Sequence, residues 1–400
     1  MNGIIIGLYG IFCLILKVLG LYLGVISVFF VFKPKGFPKT NRLLRFAVLV
    51  PARNEEECIA GIVRSIKKQN YPPELVDIYV IPNNCTDGTA RAAVESGAAM
   101  IPVSSKVRSK GAALHEAFQW LLKTEKHDAY CVFDADNEAS PDFLAEMNRA
   151  LSSGYRAAKS RILAKNAHES LTCACYEIYF CNANQFINTA RQNLGLSARL
   201  IGTGFGVRRD LMEELGGWNT DTLTEDAEFY ALLAVRGEKI AYCSRAVTYD
   251  EEPITFYESL IQRRRWMSGV IEVGRLKIGS LIAAMGRRKS FFTALDAGMQ
   301  FSLSILQAFA IPIFLLYALC EPAAALTCLL GVALGFFGSV LLTGGAALIL
   351  QRRLTAKTAA ALVFYPVFMF SNILLHTYAL FCPNKAWKPI RHTGVRLGEP

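Results

Sequence analysis

Four long apolar stretches stand out along the chain, at residues 3–32, 297–320, 323–350 and 358–382. Lys17 is the only charged residue within them. Each stretch is longer than the roughly 18 to 20 residues that a helix needs to cross a bilayer core of about 30 Å. The pattern therefore predicts four transmembrane helices. The first stretch is too long for a cleaved signal and is followed by no small-residue cleavage site, so we interpret it as a retained anchor.

Between the first two stretches, short β-rich runs alternate with segments of helical periodicity. Residues 55–69, for example, carry Ile59, Ile62 and Ile66 on one helical face. This alternation predicts an α/β fold in which a mostly parallel, doubly wound sheet carries helices on both faces. The predicted strands are 46–51, 76–81, 98–103 and 129–136, and the predicted helices are 55–69, one after Asp87, 110–123 and one starting near Pro141.

These patterns divide the chain into five parts. They are a transmembrane anchor at 1–32, a globular domain at 33–253, amphipathic interfacial helices at 254–290, about three transmembrane helices at 291–382 and a basic tail at 383–400. Pro312 and Pro366 lie within the second and fourth apolar stretches, and Asp296 lies beside the second. These three residues favour a broken or re-entrant segment there.

The composition agrees with a membrane protein, since 52% of the residues are hydrophobic and only 19% are charged. Much of the net charge of +10 flanks the apolar stretches, which favours anionic lipid rather than nucleic acid as its partner. Basic residues at both ends of the globular domain predict that it lies in the cytoplasm, at the plasma membrane. The eleven cysteines show no ligand spacing and are interpreted as free thiols.

The side of the membrane on which the tail lies stays open. Three crossings after a cytoplasmic domain would leave the tail outside. The basic residues of the tail favour the inside instead. They are Lys385, Lys388, Arg391 and Arg396.

Polar residues follow three of the predicted strands, at the edge where parallel sheets bind ligands. They form the runs PARNEE at 51–56, NNCTD at 83–87 and DAD at 134–136. No GxGxxG follows the first strand and no GxxxxGK[ST] occurs, which argues against a dinucleotide enzyme and a P-loop ATPase. Two carboxylates one residue apart suit a Mg²⁺ or Mn²⁺ ion that also binds diphosphate oxygens, although a chance pair of surface acids has the same spacing.

Three later motifs have both a functional and a structural interpretation. GTGFG at 202–206 provides flexible backbone for a ligand passing close by, or is only a turn. TED at 224–226 carries functional acids, or is a helix start with its cap. QRRRW at 262–266 is part of an active site, or anchors the chain to lipid head groups.

In order and spacing over residues 46–269, these motifs resemble the membrane-integrated family 2 glycosyltransferases, the branch that includes cellulose, hyaluronan and poly-N-acetylglucosamine synthases. The segment WKPIRHT at 387–393 is similar to the tail of that branch. The resemblance implies a GT-A-like nucleotide-sugar domain, a nucleotide-sugar donor used with Mg²⁺ or Mn²⁺, and an inverting displacement.

The resemblance also implies a role for individual residues. Asp226 would be the general base, Arg265 would neutralise the departing diphosphate and Trp266 would stack on the acceptor sugar. The full set is Asp226 and Arg265 for catalysis; Pro51, Arg53, Glu55, Asn83, Lys110 and Asp134 for the nucleotide sugar; Asp136 for the metal; and Gly204, Glu225, Gln262 and Trp266 for the acceptor.

Asn83 departs from the family pattern, which usually has an aspartate at this position. An asparagine still offers a carbonyl oxygen to the N3–H of uracil, so UDP stays the implied nucleotide.

Two enzymatic functions fit this resemblance. The favoured one is a synthase that extends a β-linked polysaccharide at the membrane, and the alternative is a transferase that adds one sugar to a lipid. Four spans are few for a polysaccharide channel unless the protein forms a homo-oligomer or an export partner contributes. A catalytically inactive scaffold is disfavoured because Asp134, Asp136 and Asp226 are all present.

Overall fold

The computed structural model describes residues 2–34, 36–384 and 394. Its strands are β1 (Phe46–Ala52), β2 (Val76–Pro82), β3 (Ala99–Met100), β4 (Ala129–Val132), β5 (Glu138–Ala139), β6 (Ala157–Ala164), β7 (Phe205–Arg208) and β8 (Ile240–Asp250). They form one eight-stranded sheet in the order β3-β2-β1-β4-β7-β6-β8-β5. The four strands predicted from the sequence correspond to β1, β2, β3 and β4, of which β3 and β4 are shorter than predicted.

The sheet is mixed. β3, β2, β1 and β4 are parallel neighbours, and β6 is parallel to β8. β7 lies antiparallel between β4 and β6, and β5 lies antiparallel to β8. The reason for the reversal at β7 is local: Gly204 N–H, just before β7, donates to the carbonyl of Val132 at the carboxyl end of β4. A strand that starts at this edge must run back along β4.

The helices are α1 (Asn2–Val28), α2 (Ile59–Lys67), α3 (Thr89–Glu95), α4 (Lys110–Thr124), α5 (Phe143–Ser152), α6 (Leu171–Asn182), α7 (Ala190–Asn193), α8 (Arg209–Leu215), α9 (Glu225–Arg236), α10 (Phe256–Met285), α11 (Phe291–Cys320), α12 (Pro322–Leu350) and α13 (Ala356–Phe381). Short 3-10 turns cover Phe29–Val31 and Pro73–Leu75, and a π-helical segment, Ala183–Thr189, joins α6 to α7.

Hydrophobic cores cover both faces of the sheet, as the uninterrupted apolar run of β1 requires. Leu49 points into a core that contains residues of α4 and α9. Val48 and Val50, on the opposite face, point into a core that contains residues of α2 and α5. The predicted α/β fold with helices on both faces is therefore confirmed.

Within the described residues, four helices are long and apolar enough to cross a membrane: α1 with its following turn, α11, α12 and α13. Pro312 and Pro366 lie inside continuous helices, so the predicted break is not found. A proline is tolerated inside such a helix when neighbouring groups satisfy the freed backbone.

An ion pair joins the first two of these helices to the globular domain. Asp296 of α11 accepts from Arg191 of α7 through both carboxylate oxygens, at 2.8 and 3.0 Å, and both side chains are buried. Tyr22 of α1 and Gln300 of α11 also donate to Asp296, at 3.2 and 3.0 Å. The acid beside the second apolar stretch is thus a docking point for two membrane helices rather than a helix break.

The interfacial segment predicted at 254–290 is a single long helix, α10. Thr255 and Glu258 form a capping box at its start. Two glycines allow α10 to pack closely on its neighbours. A Cβ at Gly269 would lie 2.3 Å from Thr224 at the start of α9, and a Cβ at Gly274 would lie 3.0 Å from Ile305 of α11. This packing brings the QRRRW sequence to the edge of the sheet.

Candidate active site

A cavity of about 260 Å³ lies at the carboxyl ends of β1, β2 and β4, where α9 and α10 approach the sheet. It contains every site residue that the sequence predicts except Gly204. The lining residues among them are Pro51, Arg53, Glu55, Asn83, Lys110, Asp134, Asp136, Glu225, Asp226, Gln262, Arg265 and Trp266. Residues spread over more than 200 positions of the chain therefore meet in one place.

Gly204 lies outside the cavity and has a packing role. Its backbone is left-handed, with φ +62°, and a Cβ there would lie 2.1 Å from the hydroxyl oxygen of Thr248. A side chain at this position would collide with β8, which explains why the loop before β7 requires glycine. The predicted acceptor contact at Gly204 has no support in this geometry.

Lys110 links the two acidic parts of the cavity. Its Nζ lies 2.6 Å from Asp134 Oδ1 and 3.1 Å from Glu225 Oε1, and it donates to the carbonyl of Gly202 at 2.9 Å. Burial lowers the pKa of Lys110, but the neighbouring carboxylates outweigh this effect and raise the pKa above its ordinary value. Lys110 therefore stays charged.

Asp226 lies in the first turn of α9 and faces the loop before β7. The N–H of Gly202 donates to its Oδ2 at 2.6 Å, which fixes the carboxylate against the cavity wall. The side chain of Thr224, the residue before α9, makes no capping hydrogen bond. The interpretation of TED as a helix cap is therefore wrong for Thr224, whose side chain does not cap α9.

The three consecutive arginines of α10 point in different directions. Arg265 lines the cavity. Gln262, three residues earlier, and Trp266, the next residue, line it too. Gln262 accepts from the hydroxyl of Tyr176 at 2.7 Å, and the ring of Trp266 packs edge-on against Tyr176 at 6.0 Å between centroids. α6 thus supports both cavity residues from behind.

Arg263 and Arg264 bind α13 instead of the cavity. Arg263 is 2% exposed, and its Nη1 donates to the carbonyl of Phe368, to Ser371 Oγ and to Asn372 Oδ1, all at 2.8 to 2.9 Å. Arg264 lies over the ring of Tyr378 at 4.5 Å. A buried guanidinium cannot hold lipid head groups, so the anchoring interpretation is wrong for Arg263.

Asn83 is nearly buried at the end of β2. Its side-chain carbonyl oxygen accepts from Asn84 Nδ2 at 2.9 Å, and its own Nδ2 donates to the carbonyl of Ser109 at 3.3 Å. A carbonyl oxygen accepts two hydrogen bonds, so one remains for a base.

Comparison with known proteins identifies the family of the chain. Residues 44–269, more than half of the chain, match the family described as "Glycosyltransferase like family 2". The chain belongs to this family.

Three relatives show which kinds of protein this glycosyltransferase is similar to. The chain is 28% identical to the probable glycosyltransferase YdaM of Bacillus subtilis, over 59% of this chain and 57% of that one. It is 26% identical to the beta-monoglucosyldiacylglycerol synthase of a Nostoc species, over 63% and 54% of the two chains. It is 23% identical to a cellulose synthase catalytic subunit of Komagataeibacter xylinus, over 56% and 32%. The match spans about half the length of the first two relatives and less of the third.

Among solved structures, the glycosyltransferase is similar to a mannosyltransferase of Pyrobaculum calidifontis determined with GDP-Man and Mn²⁺. The TM-score is 0.60 at 18% identity, and the match covers 96% of this chain and 99% of that one. This likeness confirms the GT-A-like fold together with the helices outside it.

Asp250, at the end of β8, is a cavity residue of the glycosyltransferase that the sequence motifs do not reveal. Asn137 Nδ2 donates both to Asp136 Oδ1, at 3.1 Å, and to Asp250 Oδ1, at 2.6 Å. Two carboxylate oxygens therefore lie within reach of one amide group. Nothing in the local sequence signals this, because β8, which is distant in the chain, is brought beside the Asp-x-Asp motif by its pairing with β5.

These acids fit a divalent cation as a partial coordination shell. Asp136 is 7% exposed and faces the cavity, and carboxylate oxygens are the ligands that Mg²⁺ and Mn²⁺ prefer. Among the described residues, no group of three or more His, Cys, Asp or Glu side chains is arranged to hold a metal. The remaining positions around an ion at Asp136 would be filled by diphosphate oxygens and water.

Lys159 of β6 lies behind the cavity. The sequence motifs do not reveal this residue either. Its Nζ donates to the carbonyl of Thr203 at 2.5 Å, and it is 1% exposed. Burial lowers the pKa of Lys159 to about 7, against a smaller opposing effect of Asp250 and Asp226. The lysine thus holds the loop in which the N–H of Gly202 donates to Asp226 and the N–H of Gly204 donates to Val132 of β4.

Proposed function

We propose that this glycosyltransferase moves a sugar from a nucleotide sugar, with UDP as the nucleotide, to the growing end of a β-linked polysaccharide, by an inverting and metal-dependent reaction. The single observation that carries the proposal is the convergence of Asp134, Asp136, Asp226 and Arg265 on one cavity. The match to family 2 glycosyltransferases supports the same chemistry.

The donor would lie along the ends of β1, β2 and β4. Asn83 would contact the base, and Arg53 and Lys110 would meet the phosphates. Asp134, held 2.6 Å from Lys110, would contact the nucleoside part of the donor. The diphosphate would compete with Asp134 and Glu225 for the lysine charge, since all three are anionic. Binding the donor would therefore loosen the ion pairs that Lys110 now makes.

Asp136 would hold the divalent cation, with Asp250 on the other side of Asn137. The cation supplies positive charge that neutralises the diphosphate as it leaves. Arg265 would supply further positive charge from α10, because a guanidinium can bind phosphate oxygens in pairs.

The general base would be Asp226. An acceptor hydroxyl would attack the anomeric carbon from the face opposite the diphosphate, and the new C–O bond would form as the bond to the diphosphate breaks. Asp226 would take the hydroxyl proton, and the nucleoside diphosphate would carry away the bonding electron pair. The hydrogen bond from Gly202 leaves the second carboxylate oxygen of Asp226 to take up that proton.

The acceptor would stack on Trp266, and Gln262 and Glu225 would contact its hydroxyl groups. Basic residues beside the apolar helices support a cytoplasmic position for the globular domain, where nucleotide sugars are made. A growing polysaccharide would then have to leave the site through the membrane.

A lipid acceptor is the second candidate, and the packing of the membrane helices favours it. In the most apolar windows of α1, α11 and α12, only 11%, 6% and 6% of the residues are buried. Helices packed so sparsely do not enclose a pore within the described part of one copy. A polysaccharide channel would need a second copy or an export partner, whereas a lipid could reach the cavity from the bilayer.

The size of the product separates these two acceptors. We would supply the purified protein in lipid nanodiscs with each common UDP-sugar, and with GDP-mannose, in Mg²⁺ or Mn²⁺. A ladder or long polymer would support the polysaccharide, and a single glycolipid would support the second candidate. Absence of transfer from every donor, in protein shown to be folded, would contradict both.

A further inference from the structure

The active-site cavity has a second side, which is formed by helices and a loop rather than by strand ends. Arg199, Tyr230 and Gln300 line the cavity there, together with Phe301 and Val270. The donor and the cation proposed above would lie at the ends of β1, β2 and β4, so the chemistry described so far does not use these five residues. They are therefore candidates for contact with the acceptor.

The backbone of Arg199 is fixed by two elements. Its N–H donates to Asn188 Oδ1 of the π-helical segment at 2.9 Å, and the N–H of Ala198 donates to the carbonyl of Ile240 at the start of β8, also at 2.9 Å. The next residue, Leu200, is 3% exposed. Arg199 is thus presented to the cavity from a loop that is held on both sides.

The guanidinium of Arg199 is partly buried and has no anionic partner. Among the described residues it forms no ion pair and no side-chain hydrogen bond. Residues 385–393 and 395–400, which include the WKPIRHT segment and most of the basic tail, lie outside that part of the chain. Removing a cation from water costs free energy unless an anion compensates it. The side chain is therefore suited to a ligand that brings its own negative charge.

Tyr230 of α9 supplies a second donor near Arg199. Its hydroxyl oxygen accepts from Gln300 Nε2 at 2.9 Å, which leaves the hydroxyl hydrogen for another acceptor. Tyr230 is 3% exposed. Burial and the charge of Asp296 raise the pKa of Tyr230, and the charges of Arg191 and Arg199 oppose this rise. The phenol therefore keeps its proton, and Arg199 is close enough to act on it electrostatically.

This side of the cavity reaches an apolar helix. Gln300 and Phe301 lie within the apolar stretch 297–320 of α11, a helix long and apolar enough to cross a membrane. The ring of Phe301 lies 6.1 Å from that of Tyr230, and Val270 of α10 continues the cavity wall. A ligand that meets Arg199 and Tyr230 would therefore have apolar side chains beside it, in the direction of the bilayer.

We infer that Arg199 and Tyr230 bind a phosphate in the head group of a lipid acceptor. A guanidinium can bind two phosphate oxygens, and the phenol hydroxyl can donate to the third. The apolar chain of the lipid would lie along Phe301 and Val270. Such a lipid either receives a single sugar or carries the growing chain, so the inference rests on the sugar transfer proposed above and names the class of its acceptor.

The loop that carries Arg199 also contacts the proposed base. Gly202, three residues after Arg199, donates its N–H to Asp226 Oδ2 at 2.6 Å. Three residues of extended chain span at most about 11 Å. A hydroxyl of the lipid head group could therefore meet Asp226 while Arg199 binds the phosphate. The phosphate is the group that is recognised, and the attacking group is still a hydroxyl.

The affinity for single lipids tests the inference without any sugar donor. The full chain in neutral detergent would be titrated, by native mass spectrometry, with phosphatidylglycerol and with a diacylglycerol of the same acyl chains. Glycerol 3-phosphate would serve as a water-soluble phosphate and digalacturonate as an acidic saccharide. We expect phosphatidylglycerol to bind at least about tenfold more tightly than the other three, because only this ligand makes both the phosphate and the apolar contacts.

Substitutions of Arg199 locate the phosphate. Arg199→Gln should lower the affinity for phosphatidylglycerol by about tenfold and leave the affinity for diacylglycerol unchanged. The matched control is Arg288→Gln, at an exposed position in the turn before α11, which removes the same charge outside the cavity and should have little effect. Arg199→Lys retains a charge and should keep part of the affinity, which provides a second variant if Arg199→Gln folds poorly.

Three results would overturn the inference. The first is an affinity for phosphatidylglycerol that neither substitution of Arg199 changes. The second is an equal loss in Arg199→Gln and Arg288→Gln, which would indicate binding to surface charge in general. The third is binding of glycerol 3-phosphate or digalacturonate as tight as that of phosphatidylglycerol, which would indicate a water-soluble phosphate or an acidic polysaccharide instead of a lipid.

Calorimetric titration with UDP separates this inference from the proposed function. Arg199→Gln should keep the UDP affinity of the unaltered protein, because Arg199 lies away from the strand ends where the donor would bind. A large loss of UDP affinity would assign Arg199 to the donor site and would also overturn the inference. Absence of transfer from every donor would contradict the proposed function alone, since the lipid affinities are measured without a donor.

Discussion

Two acids of the cavity, Asp136 and Asp226, are held in ways that suit different tasks. Asp136 shares the amide of Asn137 with Asp250, so negative charge accumulates where a cation would bind. Asp226 receives one short hydrogen bond from the backbone N–H of Gly202 and lies next to Glu225 in the first turn of α9. The first arrangement suits ion binding, and the second suits proton transfer to a single oxygen.

Replacing Asp136 by asparagine should lower the rate of transfer by at least about a hundredfold, because a bound metal supplies several kcal/mol of charge stabilisation. Excess EDTA should have the same effect on the unaltered protein. The control is Asp142→Asn, which changes an acid outside the cavity and should leave the rate nearly unchanged. Full turnover in EDTA, measured as nucleotide release, would contradict the metal assignment.

Replacing Asp226 by asparagine should lower turnover by at least about a hundredfold with little change in donor affinity. A general base acts in the transition state and contributes little to ground-state binding. Turnover is measured by product formation and affinity by calorimetric titration with UDP. If the substitution weakened UDP binding strongly and left turnover intact, Asp226 would belong to the donor site instead.

Lys159 should make the stability of the protein depend on pH. Burial lowers its folded-state pKa to about 7, whereas the unfolded chain retains the ordinary value of 10.5. Between these values the unfolded state binds more protons, so stability should rise as pH increases from about 7 towards 10.

The expected readout is an apparent melting temperature that rises over this interval and rises less in Lys159→Met. Lys123→Met, at an exposed position of α4, is the matched control and should keep the slope of the unaltered protein. Equal slopes in all three proteins would show that Lys159 is charged when folded.

At the scale of elements, α10 connects the active site to α13. Its successive residues point about 100° apart around the helix, so Arg263 and Arg265 serve different partners. The sequence alone suggests that the three arginines are either interchangeable anchors or a single functional residue with two bystanders. The structure shows a third arrangement, in which Arg263 is a buried support of α13.

Arg265→Lys should lower transfer by about tenfold or more, because lysine cannot reproduce a paired contact with phosphate oxygens. Arg264→Lys is the matched control and should keep most of the activity, since Arg264 contacts Tyr378 of α13 and the carbonyl of Cys382 just after that helix. Nucleotide release in detergent free of anionic lipid is the measurement. Similar, mild losses of transfer activity in both variants would indicate instead that this segment anchors the chain to lipid head groups.

Arg263→Lys should reduce stability as well as activity. It would lose several of the buried hydrogen bonds that the guanidinium makes with α13, so it is unsuited as a control.

The first half of the sheet could be predicted from sequence because its strands and helices alternate locally. β1 and β2 match the predicted ranges within one residue, and α4 begins at the predicted Lys110. The second half was missed for a physical reason. β7 is only four residues long and is paired by strands that lie far away in the sequence, so no local periodicity marks it.

Site residues that lie at the ends of predicted strands or within the family motifs could be predicted from the sequence. Asp250 and Lys159 could not, because their positions depend on the pairing of strands that are distant in the sequence: β5 with β8 for Asp250, and β6 with β7 and β8 for Lys159. Gly204 was assigned to the acceptor from its motif, whereas its conformation and its contact with Thr248 give it a packing role. Motifs therefore locate the cavity better than they distinguish lining residues from supporting ones.

At the scale of the whole molecule, the proposed nucleotide-sugar cavity lies beside helices that are apolar enough to enter a membrane. Phe301 of α11 and Val270 of α10 extend the cavity wall towards the apolar helices. An acceptor that is long or lipid-bound could therefore reach Asp226 from the membrane side while the donor enters from water.

The most direct test of the account is the anomeric configuration of the product. The purified protein would receive an α-configured UDP-sugar with Mn²⁺ or Mg²⁺, and the new linkage would be assigned by proton NMR, with released UDP counted in parallel. The account predicts a β linkage and one UDP for each sugar transferred. An α linkage would contradict the single displacement with Asp226 as the base.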